Sequence, residues 1–178
     1  CELEDITLEL GTGAADYEPI EDGTTVTSVH GLQGGWHIDV AFAAYQAGAI
    51  AKFEVYGYDV ATGERVCAHG DSPLQVALLP VDECQSIFYG VRCFVDCPVA
   101  EAIGADIGDD TCDTPPEALN GREIRLELSM TDEDERPGSD ELIIVFGADE
   151  IDPTECTTDY SCESAHEGLD TGDTGHSK

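Results

Sequence analysis

Apolar and polar side chains alternate along short runs of this chain, and that pattern constrains its fold more than any other feature. In REIRLELSM (residues 122–130), Ile124, Leu126, Leu128 and Met130 share one parity, and Glu123, Arg125, Glu127 and Ser129 share the other. Successive side chains of a strand point to opposite faces, so such a run has one dry face and one wet face. The alternation recurs at Ile6, Leu8 and Leu10 against Thr7 and Glu9. It recurs at Trp36, Ile38, Val40 and Phe42 against His37, Asp39 and Ala41. In SIFYGVRCFV (86–95) it predicts Ile87, Tyr89, Val91, Cys93 and Val95 inward, with Arg92 and then Asp96 outward. TTVTSV (24–29), IAKFEVYGYDV (50–60), ERVCAH (64–69) and LQVALLPV (74–81) are further extended runs.

Turn residues punctuate these runs. Gly63 in ATGER predicts a hairpin over 50–69, and TDEDERPGSD predicts a second over 122–147. About eight or nine short strands, with no amphipathic helical period, point to an all-β fold, a single antiparallel sandwich. Trp36 would suit the centre of its core. Residues 96–120 read as an irregular acidic insert carrying Pro98, Pro115 and Pro116, with a short helical turn at VAEAIGA (99–105). From 151 the chain is polar, rich in Thr, Asp and Gly, and too poor in apolar groups to repay its ordering entropy. The expected organisation is therefore an N-terminal segment (1–5), a sandwich (6–150) and a disordered, low-complexity acidic tail (151–178).

Charge narrows the partners. Thirty-nine acidic residues face 7 basic ones, for a net charge of −32. Such a surface repels phosphate backbones and disfavours anionic headgroups, so nucleic acid is not an expected partner. Like charges also repel across the folded state, over a range that physiological salt limits to about 8–10 Å. The same charge would serve a host in salty water or simply keep an exported protein soluble.

Eight cysteines, at 1, 67, 84, 93, 97, 112, 156 and 162, indicate an oxidising compartment. There is no C-x-x-C and no H-x-x-x-H, so disulfides are the better reading than zinc. Cys156 and Cys162 would close a small loop. Cys97 and Cys112 would staple the insert, and a bridge over ~15 residues is worth about 3 kcal/mol in the chain-entropy model. Cys67 with Cys84 is the expected third pair, leaving Cys93 a free buried thiol. Cys1 is what lipoprotein signal cleavage leaves, its thiol carrying the lipid; otherwise Cys1 joins a disulfide. A lipid would tether the protein to a membrane, at ~0.8 kcal/mol per buried CH₂, and would place it in the cell envelope, at the outer membrane or cell surface.

Candidate sites are few. Asp132, Asp134 and Asp140 crowd one turn, and Asp106, Asp109, Asp110 and Asp113 crowd another loop. Calcium takes six to eight oxygens, which such loops offer. Counting from Asp132, however, Arg136 and Ile143 stand at the fifth and twelfth positions of an EF-hand loop, and solvated acidic loops are the plainer reading. His37 and Asp39 share a strand face that His30 and His69 could approach, but no third ligand is evident. No G-x-S-x-G, H-E-x-x-H, phosphate loop or dinucleotide fingerprint occurs, so no enzyme and no cofactor is expected, calcium being the one candidate ion.

Three stretches, GLQGGWHIDVAF (31–42), YDVATGERV (58–66) and NGREIRLELSMTDEDERPGSDELIIVF (120–146), resemble the uncharacterised cell-surface lipoproteins of myxobacteria and related predatory or marine bacteria. That group carries a G-x-Q-G-G-[YW]-H strand start, a T-G-E hairpin and a closing G-R hairpin. The resemblance implies an immunoglobulin-like sandwich on a lipid anchor and implies no activity. The expected role is that of a surface module, structural, adhesive or protein-binding, with surface proteins or glycans as partners; a calcium-binding extracellular protein is the alternative.

Overall fold

The computed structural model describes residues 5–30, 36–70, 72–95 and 119–148. These residues form strands and turns with no α-helix. The strands are β1 (Thr7–Thr12), β2 (Glu18–Pro19), β3 (Thr24–Thr27), β4 (Val29–His30), β5 (Trp36–Tyr45), β6 (Ile50–Asp59), β7 (Arg65–Ala68), β8 (Leu74–Ala77), β9 (Leu79–Pro80), β10 (Gln85–Val95), β11 (Glu123–Asp132) and β12 (Pro137–Gly147). Both expected hairpins are present: β6 with β7, and β11 with β12. The 96–118 insert and the 151–178 tail lie outside the described residues.

All twelve strands join one sheet, ordered β2-β1-β5-β10-β7-β6-β11-β12-β3, with β4 on β5, β8 on β6 and β9 on β10. The expectation of a wholly antiparallel arrangement fails at one edge, where β3 runs parallel to β12. The segment from β2 to β3 causes this: it leaves the edge of β1 and crosses to the far edge of β12. The sheet is curled, so that β1-β5-β10 faces β6-β11-β12 across one core. Phe42 of β5 and Phe53 of β6 meet edge to face at 5.1 Å, and Phe88 packs on both. On one side the curl is closed by β7, β8 and β9, which pair with β6 or β10. On the other side β1 abuts β12, where the Leu10 N–H donates to Asp140 Oδ2 at 2.7 Å. Gly138 permits that approach, because a Cβ there would stand 2.8 Å from Ile6 Cγ2.

The inward parity of β11 holds as expected: Ile124, Leu126, Leu128 and Met130 are all buried. Each such side chain contributes roughly 1.5–3 kcal/mol by leaving water. Strand β5 is buried on both faces, with His37, Ala41 and Ala43 covered as well as Ile38, Val40 and Phe42. Trp36 is buried too, but it stands apart from the main core cluster. In β10 the expected parity is half right. Val91 and Cys93 are buried, whereas Phe88, not Ile87 or Tyr89, packs on the core. The register with β5 slips between Phe88 and Val91, at Gly90 with φ +72°. A bulge inserts one residue and exchanges the faces before and after it.

The cysteine pairing also differs from expectation. Cys67 bonds to Cys93, not to Cys84, so Cys93 is not a free thiol. Strand β7 pairs with the end of β10, Cys67 opposite Val95, which brings Cys93 within a Cα–Cα distance of 5.3 Å. Cys84 precedes β10 and lies nine residues from Cys93, about 30 Å away along an extended strand. It is itself disulfide-bonded. Cys1, Cys97, Cys112, Cys156 and Cys162 lie outside the described residues.

Candidate functional site

The acidic hairpin turn between β11 and β12 is occupied by the protein itself. Asp132 is buried, and its Oδ1 accepts the backbone N–H groups of Asp134 and Arg136, both at 3.0 Å. Its Oδ2 accepts Gly48 N–H at 3.2 Å and the Arg136 guanidinium at 2.5 Å. Burial pushes the Asp132 carboxyl up, but the Arg136 and Gly48 hydrogen bonds outweigh it and hold the group below its ordinary value. Glu133 accepts Ala49 and Ile50 N–H at 3.0 and 2.8 Å, and the Ile50 bond leads in lowering its pKa. The turn therefore caps the amides of the 46–50 connection. Two non-glycine residues, Gln46 (φ 63°) and Glu135 (φ 60°), sit in the left-handed region beside it, each at a cost of about 1–2 kcal/mol.

Of the calcium candidates, Asp132, Asp134 and Asp140 stand apart in the structure. Asp140 pairs opposite Leu128, four residues from Asp132, which places it about 13 Å down the strand, where it binds Leu10. Asp134 is exposed, Asp132 is saturated, and the three carboxylates do not converge. Among the described residues no group of three or more His, Cys, Asp or Glu side chains is placed to hold a metal ion. Asp106, Asp109, Asp110 and Asp113 lie outside the described residues.

A second clamp was not expected from the sequence. Asp59 ends β6 buried; it accepts Arg122 Nη1 at 2.9 Å and the N–H and hydroxyl of Thr62 at 2.8 and 3.0 Å. Burial raises its pKa, and these bonds more than reverse the shift. The signal was an aspartate three residues before a threonine at a turn, which favours side-chain-to-backbone closure. His37 Nε2 lies 3.6 Å from Asp39 Oδ1, as the shared face implied. His69 Nδ1 lies 3.3 Å from the Arg92 carbonyl, and the side chain of His30 is not described.

The outer face of β6, β7 and β11 is half-buried and carries aromatic and basic side chains together. Tyr56 and Tyr58 project there from β6, with Glu127 and Arg125 opposite them on β11 and Arg65 opposite Tyr58 on β7. The Arg65 guanidinium lies 5.9 Å from the Tyr56 ring centre, and that of Arg125 lies 5.6 Å from Tyr58. Arg125 is paired with Glu127 at 2.7 Å, and the Tyr56 hydroxyl donates to Glu54 at 3.0 Å. That bond is the main cause of a raised Tyr56 pKa. Lys52 continues the face to a shallow cleft of about 560 Å³ lined by Glu54, Ser129, Thr131 and Pro137. Three of the chain's 7 basic residues, Lys52, Arg65 and Arg125, therefore share one face with two tyrosines. The cue in sequence was tyrosine at every second position of EVYGYDV, on the parity opposite Phe53 and Val55.

No family model and no curated protein sequence matches this chain. Among solved structures it is similar to the CooA pilin subunit from enterotoxigenic Escherichia coli, with a TM-score of 0.37 and 8% identity, over 80% of this chain and 99% of that one. A likeness of that strength carries no argument about role.

Proposed function

We propose that this is an exported protein that works at the cell envelope as a structural, adhesive or protein-binding surface module, without catalytic activity. The observation that carries the reading is the Tyr56–Tyr58–Arg65–Arg125 face. Tyrosine and arginine dominate the energetics of protein interfaces, because they bury large rigid area and still offer donors. On a chain of net charge −32, a face whose cations balance its carboxylates is where a partner approaches with least repulsion. The buried Cys67–Cys93 bond supports export, since such bonds persist outside the reducing cytosol.

Two facing halves around one core support an immunoglobulin-like sandwich as the frame, in keeping with the resemblance to surface lipoproteins. A lipid on Cys1 would hold the module at a membrane. A disulfide at the same sulfur would exclude that lipid.

The test combines location and binding. An impermeant amine label applied to intact cells should tag the protein, and purified protein should bind isolated envelopes. The double variant Tyr58→Ala/Arg125→Ala should lose at least tenfold in envelope affinity, about 1.4 kcal/mol, while keeping its melting temperature within a few degrees. Unchanged binding by a folded variant would overturn the role of the face. A cytosolic protein with reduced Cys67 and Cys93 would overturn the whole reading.

A further inference from the structure

We infer that the partner of the Tyr–Arg face is a second copy of this chain, laid sheet to sheet about a two-fold axis that crosses the strands over Gly57 and Leu126. The inference rests on that face being a docking surface, as proposed above, and names what docks there. Residues directly opposite each other across a strand pair share a face, so the register defines rows across the sheet. One row is Arg65, Tyr58, Arg125 and Ile143, with two cations and no carboxylate. Two residues along the strands lies the row of Ala68, Tyr56, Glu127 and Glu141, with two carboxylates and no cation. Between them run Cys67, Gly57, Leu126 and Leu142, whose parity is inward.

A two-fold axis makes an interface in which residue i meets residue j and j meets i. Placed along the middle row, it sets the strands of the two copies antiparallel and exchanges the outer rows. Arg125 of each copy then stands over Glu127 of the other, so the ion pair forms twice, with Glu141 beside it. Tyr58 stands over Tyr56, and tilted or offset ring pairs attract. Farther from the axis, Glu123 meets Ser129, Ser139 meets Val145 and Glu54 meets the exposed Val60. No carboxylate of these rows is set over another. The Arg125 and Glu127 side chains are 43% and 39% exposed, which leaves both within reach of a second copy.

Charge selects the occupant. A copy carries the same net charge of −32 and approaches with least repulsion where its own cations stand. On this face each copy supplies the cations and the carboxylates that the other needs. The overlap is four strands wide and about seven residues long, roughly 19 by 23 Å, so the two copies together cover about 900 Å² in projection. That is the low end for a specific contact and corresponds to weak, reversible pairing, with a Kd on the order of 10–100 µM. Repulsion between the two acidic bodies opposes the contact, and salt relieves it by shortening the screening length from about 10 Å at 0.1 M to about 3 Å at 1 M. Pairing therefore tightens with salt, the reverse of a contact made by ion pairs alone. A copy seated at the envelope then captures a second one.

Sedimentation of the full-length protein across that NaCl range tests this. The expected result is twice the 19.0 kDa chain mass at high salt, with a Kd at least tenfold lower at about 1 M than at about 0.1 M. At about 0.5 M NaCl, Arg125→Glu and Glu127→Arg should each stay monomeric, because like charges then meet twice at the axis. An equimolar mixture of the two should pair, and so should the double variant Arg125→Glu/Glu127→Arg, since both restore opposite charges. Melting temperatures within a few degrees of wild type show that the variants fold, as expected for an exposed pair worth about 0–1 kcal/mol. A wild type that stays monomeric at about 1 M NaCl overturns the inference; envelope binding that still requires Tyr58 and Arg125 then leaves the surface-module reading standing. A dimer that survives Arg125→Glu overturns it as well. So do single variants that fail to pair when mixed, alongside a double variant that stays monomeric.

Discussion

Replacing Asp132 with alanine is expected to remove about 3–5 kcal/mol of folding stability, the cost of breaking a buried ion pair by deleting one partner. The structure supplies the terms. Three backbone N–H groups, those of Gly48, Asp134 and Arg136, lose their acceptor, at roughly 1 kcal/mol or more each where water cannot replace it. The Arg136 guanidinium loses its carboxylate but keeps the Gln46 carbonyl at 2.9 Å and remains 23% exposed, which moderates its share. The left-handed residues Gln46 and Glu135 lose the contacts that oppose their strain. Urea unfolding followed by tryptophan fluorescence measures the loss, and the melting temperature should fall by roughly 10–20 °C. Asp132→Asn keeps an acceptor and should lose about half as much. A loss below about 1 kcal/mol for the alanine variant would refute the assignment of this carboxylate as the organiser of the turn. So would calcium stabilising the wild type, at matched ionic strength, and not the variant.

Four further outcomes are expected. The Cys67→Ala/Cys93→Ala double variant should lose about 3.5 kcal/mol in urea, the chain-entropy value for a separation of 26 residues; an unchanged midpoint would refute it. Asp59 has a folded pKa below its unfolded value, so its contribution is present above about pH 4 and lost as pH falls through the folded value. The stability gap between wild type and Asp59→Asn should therefore close in acid, and a gap constant from pH 7 to pH 3 would contradict the assignment. Gly138→Ala should lose about 1–3 kcal/mol through overlap with Ile6, read as a lower urea midpoint with an unchanged slope. Raising NaCl from about 0.1 to 1 M, which shortens the screening length from about 10 to 3 Å, should raise the urea midpoint of this acidic chain.

The alternation of Ile124, Leu126, Leu128 and Met130 determined by itself that this segment is a strand with one dry face, because parity along an extended chain is local geometry. Gly63 marked the turn of the first hairpin and the polar run TDEDERPGSD marked that of the second, and the cysteine content pointed to oxidation. Partners distant in sequence were not legible. Which cysteine meets Cys67 depends on β7 ending beside the top of β10, and register is a property of two strands, not of one. Gly90 is an ordinary letter in an alternating run until β5 shows that one residue too many stands opposite it. Asp132 reads as one more surface acid until the curl of the sheet delivers Gly48 and Arg136 to it. Tyr56 and Tyr58 have an outward parity in sequence, but only the pairing of β6 with β7 and β11 sets Arg65 and Arg125 over their rings. Local periodicity decided what each segment is, and long-range pairing decided what each polar side chain is for.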